Sequence, residues 1–179
     1  MHNLRHGLHR FCVILTWTTE TIAALLLAFI VIINFLGVFY RYGLRDPIGW
    51  TEEAMRYAVV WATFLAASAA LYRGEHMVLN IFENAAAAWL RWTMHLLVLF
   101  CIAAFCLIVI WNGWPLAVRN WNQVSPTMNV PMFWPYVAVT VGFALMLLKA
   151  SVLMIMPPGY AAKTFSDAEI VADIDRADI

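Results

Sequence analysis

The stretch from Thr21 to Tyr40, T-I-A-A-L-L-L-A-F-I-V-I-I-N-F-L-G-V-F-Y, decides the fold. It holds no charge, and Asn34 alone interrupts its apolar run. A helix rises 1.5 Å per residue, so a hydrocarbon core of about 30 Å takes about 20 such residues. The length and chemistry of this stretch fit one crossing of a bilayer.

Three further uncharged runs follow: Tyr57 to Tyr72, Trp92 to Val118, and Met132 to Leu148. Snorkelling stems and flanking apolar residues extend them. We place the spans at 20–41, 54–73, 89–118 and 132–155. The fold class is therefore all-α integral membrane, with four transmembrane helices preceded by an N-terminal amphipathic interfacial helix. Residues 1–18 form that first unit: Leu4, Leu8, Phe11, Cys12 and Leu15 recur at helical spacing, with Arg5, His6, His9 and Arg10 on other faces. A frayed tail is the alternative. Residues 19–156 form the four-span bundle. Residues 157–179 carry Asp167, Glu169, Asp173, Asp175 and Asp178 and read as an acidic, mobile cytoplasmic tail.

Composition agrees. Of 179 residues, 64% are hydrophobic and only 12% charged, too apolar to be covered by the polar surface a soluble domain needs. Eleven basic and eleven acidic residues cancel, so nothing favours nucleic acid as a partner. Cys12, Cys101 and Cys106 lie in apolar stretches with no metal or redox spacing.

The joints fit the spans. Arg45-Asp46-Pro47-Ile48-Gly49 is turn-forming. Thr51 is read as an N-cap, with Glu52 and Glu53 in the first turn and Trp50 and Met55 at staple positions. Ser125-Pro126 and Asn129-Val130-Pro131 break the chain, with Pro131 placed in the first turn of the last span. Arg5, Arg10, Arg73, Arg91, Lys149 and Lys163 then fall on one side and Arg41, Arg45, Arg56 and Arg119 on the other, a six-to-four bias toward cytoplasmic termini.

Candidate chemistry is sparse. The second span bears a small-residue stripe, Ala58, Ala62, Ala66 and Ala69, suited to close helix approach in its own bundle or against a partner. His76 and His95 raise the alternative of a haem-bearing membrane anchor of a redox complex, although His76 sits at headgroup level. The middle of the spans holds no ionisable residue, only uncharged polar ones such as Asn34, Thr63, Ser68 and Asn112, which argues against a self-sufficient carrier. No P-loop, nucleophile elbow or zinc motif points to an enzyme, and no cofactor is implied.

An ordered set of motifs carries a resemblance. N-F-L-G-V-F-Y-R-Y-G at 34–43 is followed by Trp50, Glu52-Glu53, Arg56-Tyr57, the stretch Trp61 to Ala66, and Arg73 to His76. Ser125-Pro126, Pro131 and Tyr136 complete the set. The chain resembles the small membrane subunit of tripartite ATP-independent periplasmic (TRAP) transporters, over roughly Glu20 to Met156. Ala66-Ala67 stands where that family often has Gly-Ala.

The resemblance implies a multi-pass protein of the bacterial inner membrane that braces a large permease subunit. That transporter takes up an organic acid, coupled to an ion such as sodium, from a periplasmic binding protein. Under it Arg41, Trp50, Glu52, Glu53, Arg56, Ala58, Ala62, Ala66 and Ala69 are expected to make partner or scaffold contacts. Arg73, His76 and Arg91 are expected to anchor the other edge on membrane lipids.

Overall fold

A computed structural model describes residues 2–73 and 88–155. Its helices are α1 (His2–Val38), α2 (Trp50–Arg73), α3 (Ala88–Arg119) and α4 (Phe133–Ile155), with a π-helical segment, Phe39–Leu44, continuing α1. The expected His76 anchor and the acidic tail lie outside the described residues. All four helices are long and apolar enough to cross a membrane, over Arg10–Leu44, Trp50–Arg73, Trp92–Arg119 and Phe133–Met154. The chain is an all-helical, multi-pass membrane protein.

Helix α1 runs unbroken through the boundary expected at residue 18. Nothing at the junction breaks it, because Thr18, Thr19 and Thr21 turn their hydroxyls back onto the Leu15, Thr16 and Trp17 carbonyls at 2.9 Å. At 1.5 Å per residue such a helix is about 55 Å long, nearly twice one bilayer crossing. The amphipathic stretch and the first span are one element.

The helices pack as a row rather than around a central axis. Helix α1 packs on α2, α2 on α4, and α4 on α3, while α1 meets α4 only sparingly. Two aromatic contacts mark the inner seams: Phe64–Phe143 at 5.5 Å between α2 and α4, and Phe105–Phe143 at 5.6 Å between α3 and α4. The two outer helices therefore leave most of their large apolar side chains uncovered, among them Leu25, Phe35, Leu97 and Trp111. In lipid this carries no penalty, since hydrocarbon solvates those side chains as well as a protein core does.

With no hydrophobic drive between helices, close approach decides the packing. Each seam has a glycine where an added Cβ would be crowded, and at two of the three it would collide. Gly142 of α4 lies on Phe64 of α2, where an added Cβ would come within 2.5 Å of the Phe64 Cβ. Gly113 of α3 faces Thr140 of α4 at 2.9 Å, and Gly37 of α1 faces Thr51 of α2 at 3.3 Å. The helices converge at the end where α1 begins, called the terminal end. There Cys12, Leu71, Tyr72, Leu99, Ala150 and Leu153 form a buried cluster with a contribution from every helix. The opposite, hairpin end carries the α1–α2 and α3–α4 connections.

Two expected caps differ in detail. Thr51 donates its hydroxyl to the Ile48 carbonyl at 2.8 Å and so ties the turn before α2 rather than capping a helix amide. Pro131 lies two residues before α4, in a bridge with Val124, because the Met132 amide is engaged by the Gln123 carbonyl at 2.8 Å. Pro135 takes the place in the first turn of α4, where a missing N–H leaves no bond unmade.

Candidate functional site

The polar side chains gather into two groups, one at each end of the row. At the hairpin end, Glu53 in the first turn of α2 clasps the α3–α4 loop. Its Oε2 accepts the Thr127 hydroxyl, the Thr127 amide at 3.2 Å and the Met128 amide at 3.1 Å. Its Oε1 accepts the Tyr57 hydroxyl at 2.7 Å, one helical turn on. Ser125, buried, accepts a second bond from the Met128 amide at 3.3 Å. The loop needs such an anchor. Asn129 adopts a left-handed backbone, φ 53°, and two backbone bonds, Ser125–Val130 and Met132–Gln123, span the loop. Charge-assisted bonds to backbone amides are among the stronger ones available to a loop.

On the other flank of α2, Arg41 donates to Glu52 at 2.6 Å. The pair is open, with side chains 54% and 59% exposed. Arg41 belongs to the π-helical segment, which ends at Arg45 in a left-handed conformation, φ 58°. The Arg45 and Asp46 amides both return to the Tyr40 carbonyl. The widened turn thus swings the chain sharply toward α2 and delivers Arg41 to Glu52.

At the terminal end, Arg73 donates to Glu20 at 2.5 Å and joins α2 to α1. Beside them lies a side chain that sequence reasoning misplaced. Lys149, counted above with the exposed cations of one membrane edge, is fully buried, at 0% exposure. It stands five residues from the end of the α4 span, about 8 Å inside it. Its ammonium donates to Thr19 of α1 at 3.2 Å and to Ser68 of α2 at 3.3 Å. Each hydroxyl sends its own proton elsewhere, Thr19 to the Leu15 and Thr16 carbonyls and Ser68 to Leu65. Their lone pairs are thereby turned to the lysine. Snorkelling failed here because α1 and α2 close over the side chain.

The other expected site residues divide as follows. Ala58 and Ala69 are buried in the row, Ala62 is half-buried, and Ala66 points outward. Trp50 and Arg56 are exposed at the hairpin end. Arg91 belongs to the first turn of α3. His95 has its Nε2 buried and without a hydrogen-bond partner among the described residues.

Four apolar spans, with polar groups gathered toward the two ends of the row and Lys149 buried inside it, define a multi-pass membrane protein whose polar chemistry ties helices and loops together. Comparison with known proteins is specific. The sequence profile of the tripartite ATP-independent periplasmic transporters, DctQ component, matches residues 30–156, and the chain belongs to this family. The family is a transporter component and not an enzyme. The chain is 29% identical over 123 residues to a protein named for a TRAP transporter small permease from Haemophilus influenzae, covering 66% of this chain and 74% of the relative. It is 27% identical over 156 residues to the C4-dicarboxylate TRAP transporter small permease protein DctQ of Vibrio cholerae, covering 72% of this chain and 67% of the relative. A match of 26% identity over 123 residues to the isethionate TRAP transporter permease protein DctMQ of Oleidesulfovibrio alaskensis covers 68% of this chain and 19% of that much longer protein.

Proposed function

We propose that this chain is the bracing subunit of a TRAP transporter. It holds a large permease subunit in the bacterial inner membrane while that subunit takes up an organic acid from a periplasmic binding protein. Sodium supplies the coupling. The observation that carries the reading is the row itself. Its only described buried ammonium is engaged in helix ties, and its two outer helices offer long apolar faces in place of a solute path. An element built in this way supports a moving neighbour and does not move solute alone.

Both termini are cytoplasmic in this reading, which leaves the hairpin end, with Trp50 and Arg56 exposed, facing the periplasm and available to partner subunits. Ala66 on the outward side of α2 belongs to the same contact set. The alternative of a haem-bearing anchor has little to rest on, since the family is a transporter component. Co-expression with a large TRAP permease subunit tests the proposal. The two chains are expected to co-purify through a tag on this one, and deletion of this chain is expected to abolish uptake. Uptake that persists without this chain would refute the bracing role.

A further inference from the structure

A pocket of about 160 Å³ lies between the end of α1, the π-helical segment and the start of α2. Its lining includes Asn34, Gly37, Arg41, Thr51, Glu52 and Met55. Two features of it offer polar groups to a ligand. The first is Asn34. The spans contain two mid-helix asparagines, and Asn112 satisfies its amide on the Ile108 carbonyl at 2.8 Å. Asn34 makes no side-chain hydrogen bond among the described residues and borders the pocket, flanked by the outward-facing Phe35 and Ile32. An unmade amide bond in hydrocarbon is costly. The second is the Arg41–Glu52 pair at the mouth, one charge of each sign, half exposed and so easily exchanged for other partners. Asn34 lies seven residues deeper than Arg41, about 10 Å along the helix.

The geometry points to a phospholipid site for a zwitterionic, phosphoethanolamine-type headgroup. The phosphate takes Arg41, the headgroup ammonium takes Glu52, and the Asn34 amide donates to an ester carbonyl of the glycerol region beneath. The π-helical segment, a form that recurs at functional sites, opens the wall that admits the lipid. A purely anionic headgroup matches less well, because Glu52 opposes it. The site belongs to this chain and stands or falls independently of the large subunit.

Native mass spectrometry of the full chain released from detergent tests it, with dioleoylphosphatidylethanolamine, dioleoylphosphatidylglycerol and soluble glycerophosphoethanolamine as probes. One phosphatidylethanolamine is expected to remain bound in preference to phosphatidylglycerol. Asn34→Leu, a substitution the apolar helix tolerates, and Arg41→Gln are each expected to weaken it about fivefold, the loss of one good hydrogen bond. Asn112→Leu is expected to leave it unchanged. Glu52→Gln is expected to erase the preference between the two lipids. Equal retention of both lipids by the unaltered chain, or wild-type retention by Asn34→Leu, would overturn the assignment. So would binding of the soluble headgroup as tightly as the lipid, since the site would then be one for a free phosphate compound.

Discussion

Glu53 and Thr127 are 74 residues apart in the chain, yet one carboxylate oxygen of Glu53 holds both the hydroxyl and the amide of Thr127. The same oxygen takes the Met128 amide, so the first turn of α2 fixes the shape of the loop before α4. Replacing Glu53 by Ala removes these three bonds at once and leaves the loop the weaker Met128–Ser125 bond. Amide hydrogen exchange in residues 123–132 is expected to accelerate by about an order of magnitude, while exchange at the terminal end stays as it was. Unchanged protection of that loop would show that the clasp is dispensable.

The glycine seams differ in what they tolerate. At Gly142 an added methyl meets the Phe64 Cβ and backbone, which have nowhere to go. At Gly113 it meets the Thr140 hydroxyl, which rotates away. Gly142→Ala is expected to cost about 1–3 kcal/mol, and Gly113→Ala under about 1 kcal/mol. Thermal unfolding of the two variants in the same detergent checks the order.

The two ion pairs should respond differently to salt. Arg41–Glu52 is open to solvent, and a double-mutant cycle is expected to return under about 1 kcal/mol, shrinking further at high ionic strength. Arg73–Glu20 is more enclosed and joins two helices, so its coupling is expected to be larger and to change less with salt. Equal coupling and equal salt response in both cycles would contradict this.

Lys149 provides an asymmetric test. Lys149→Met keeps the volume and removes the buried charge, and it is expected to be close to neutral in stability. Ser68→Ala leaves the ammonium in place with one acceptor fewer and is expected to cost about 1–3 kcal/mol. Melting temperatures of the two variants decide. A Lys149→Met variant less stable than Ser68→Ala would mean that the ammonium itself holds the row together.

The number of spans was legible because hydrocarbon thickness fixes how many apolar residues a crossing takes. The second span, expected over 54–73, lies in the helix Trp50–Arg73, and the third, expected over 89–118, lies in Ala88–Arg119. The order of the helices in the row was not legible, since apolar faces in lipid carry no instruction about which neighbour they meet. The contacts that set that order join distant positions: Lys149 reaches Thr19 across 130 residues and Ser68 across 81. From spacing alone Lys149 resembled any cation near a span end, and only the closure of α1 and α2 over it reveals otherwise. Glu53 illustrates the same limit. Its place in a first helical turn was readable, but its use on a loop of the opposite hairpin was not. The Asn34 signal was present in the sequence as a polar interruption of an apolar run. The pocket beside it depends on the π-helical segment, which no periodicity in Phe39–Leu44 announces.

Solute uptake by proteoliposomes measures the central claim most directly. Vesicles holding this chain alone, supplied with a sodium gradient, a cognate binding protein and its organic acid, are expected to show no accumulation. Vesicles that also hold the large permease subunit are expected to accumulate the acid. Accumulation by this chain alone would contradict the account, because a row of helices that brace a neighbour would then be a carrier in its own right.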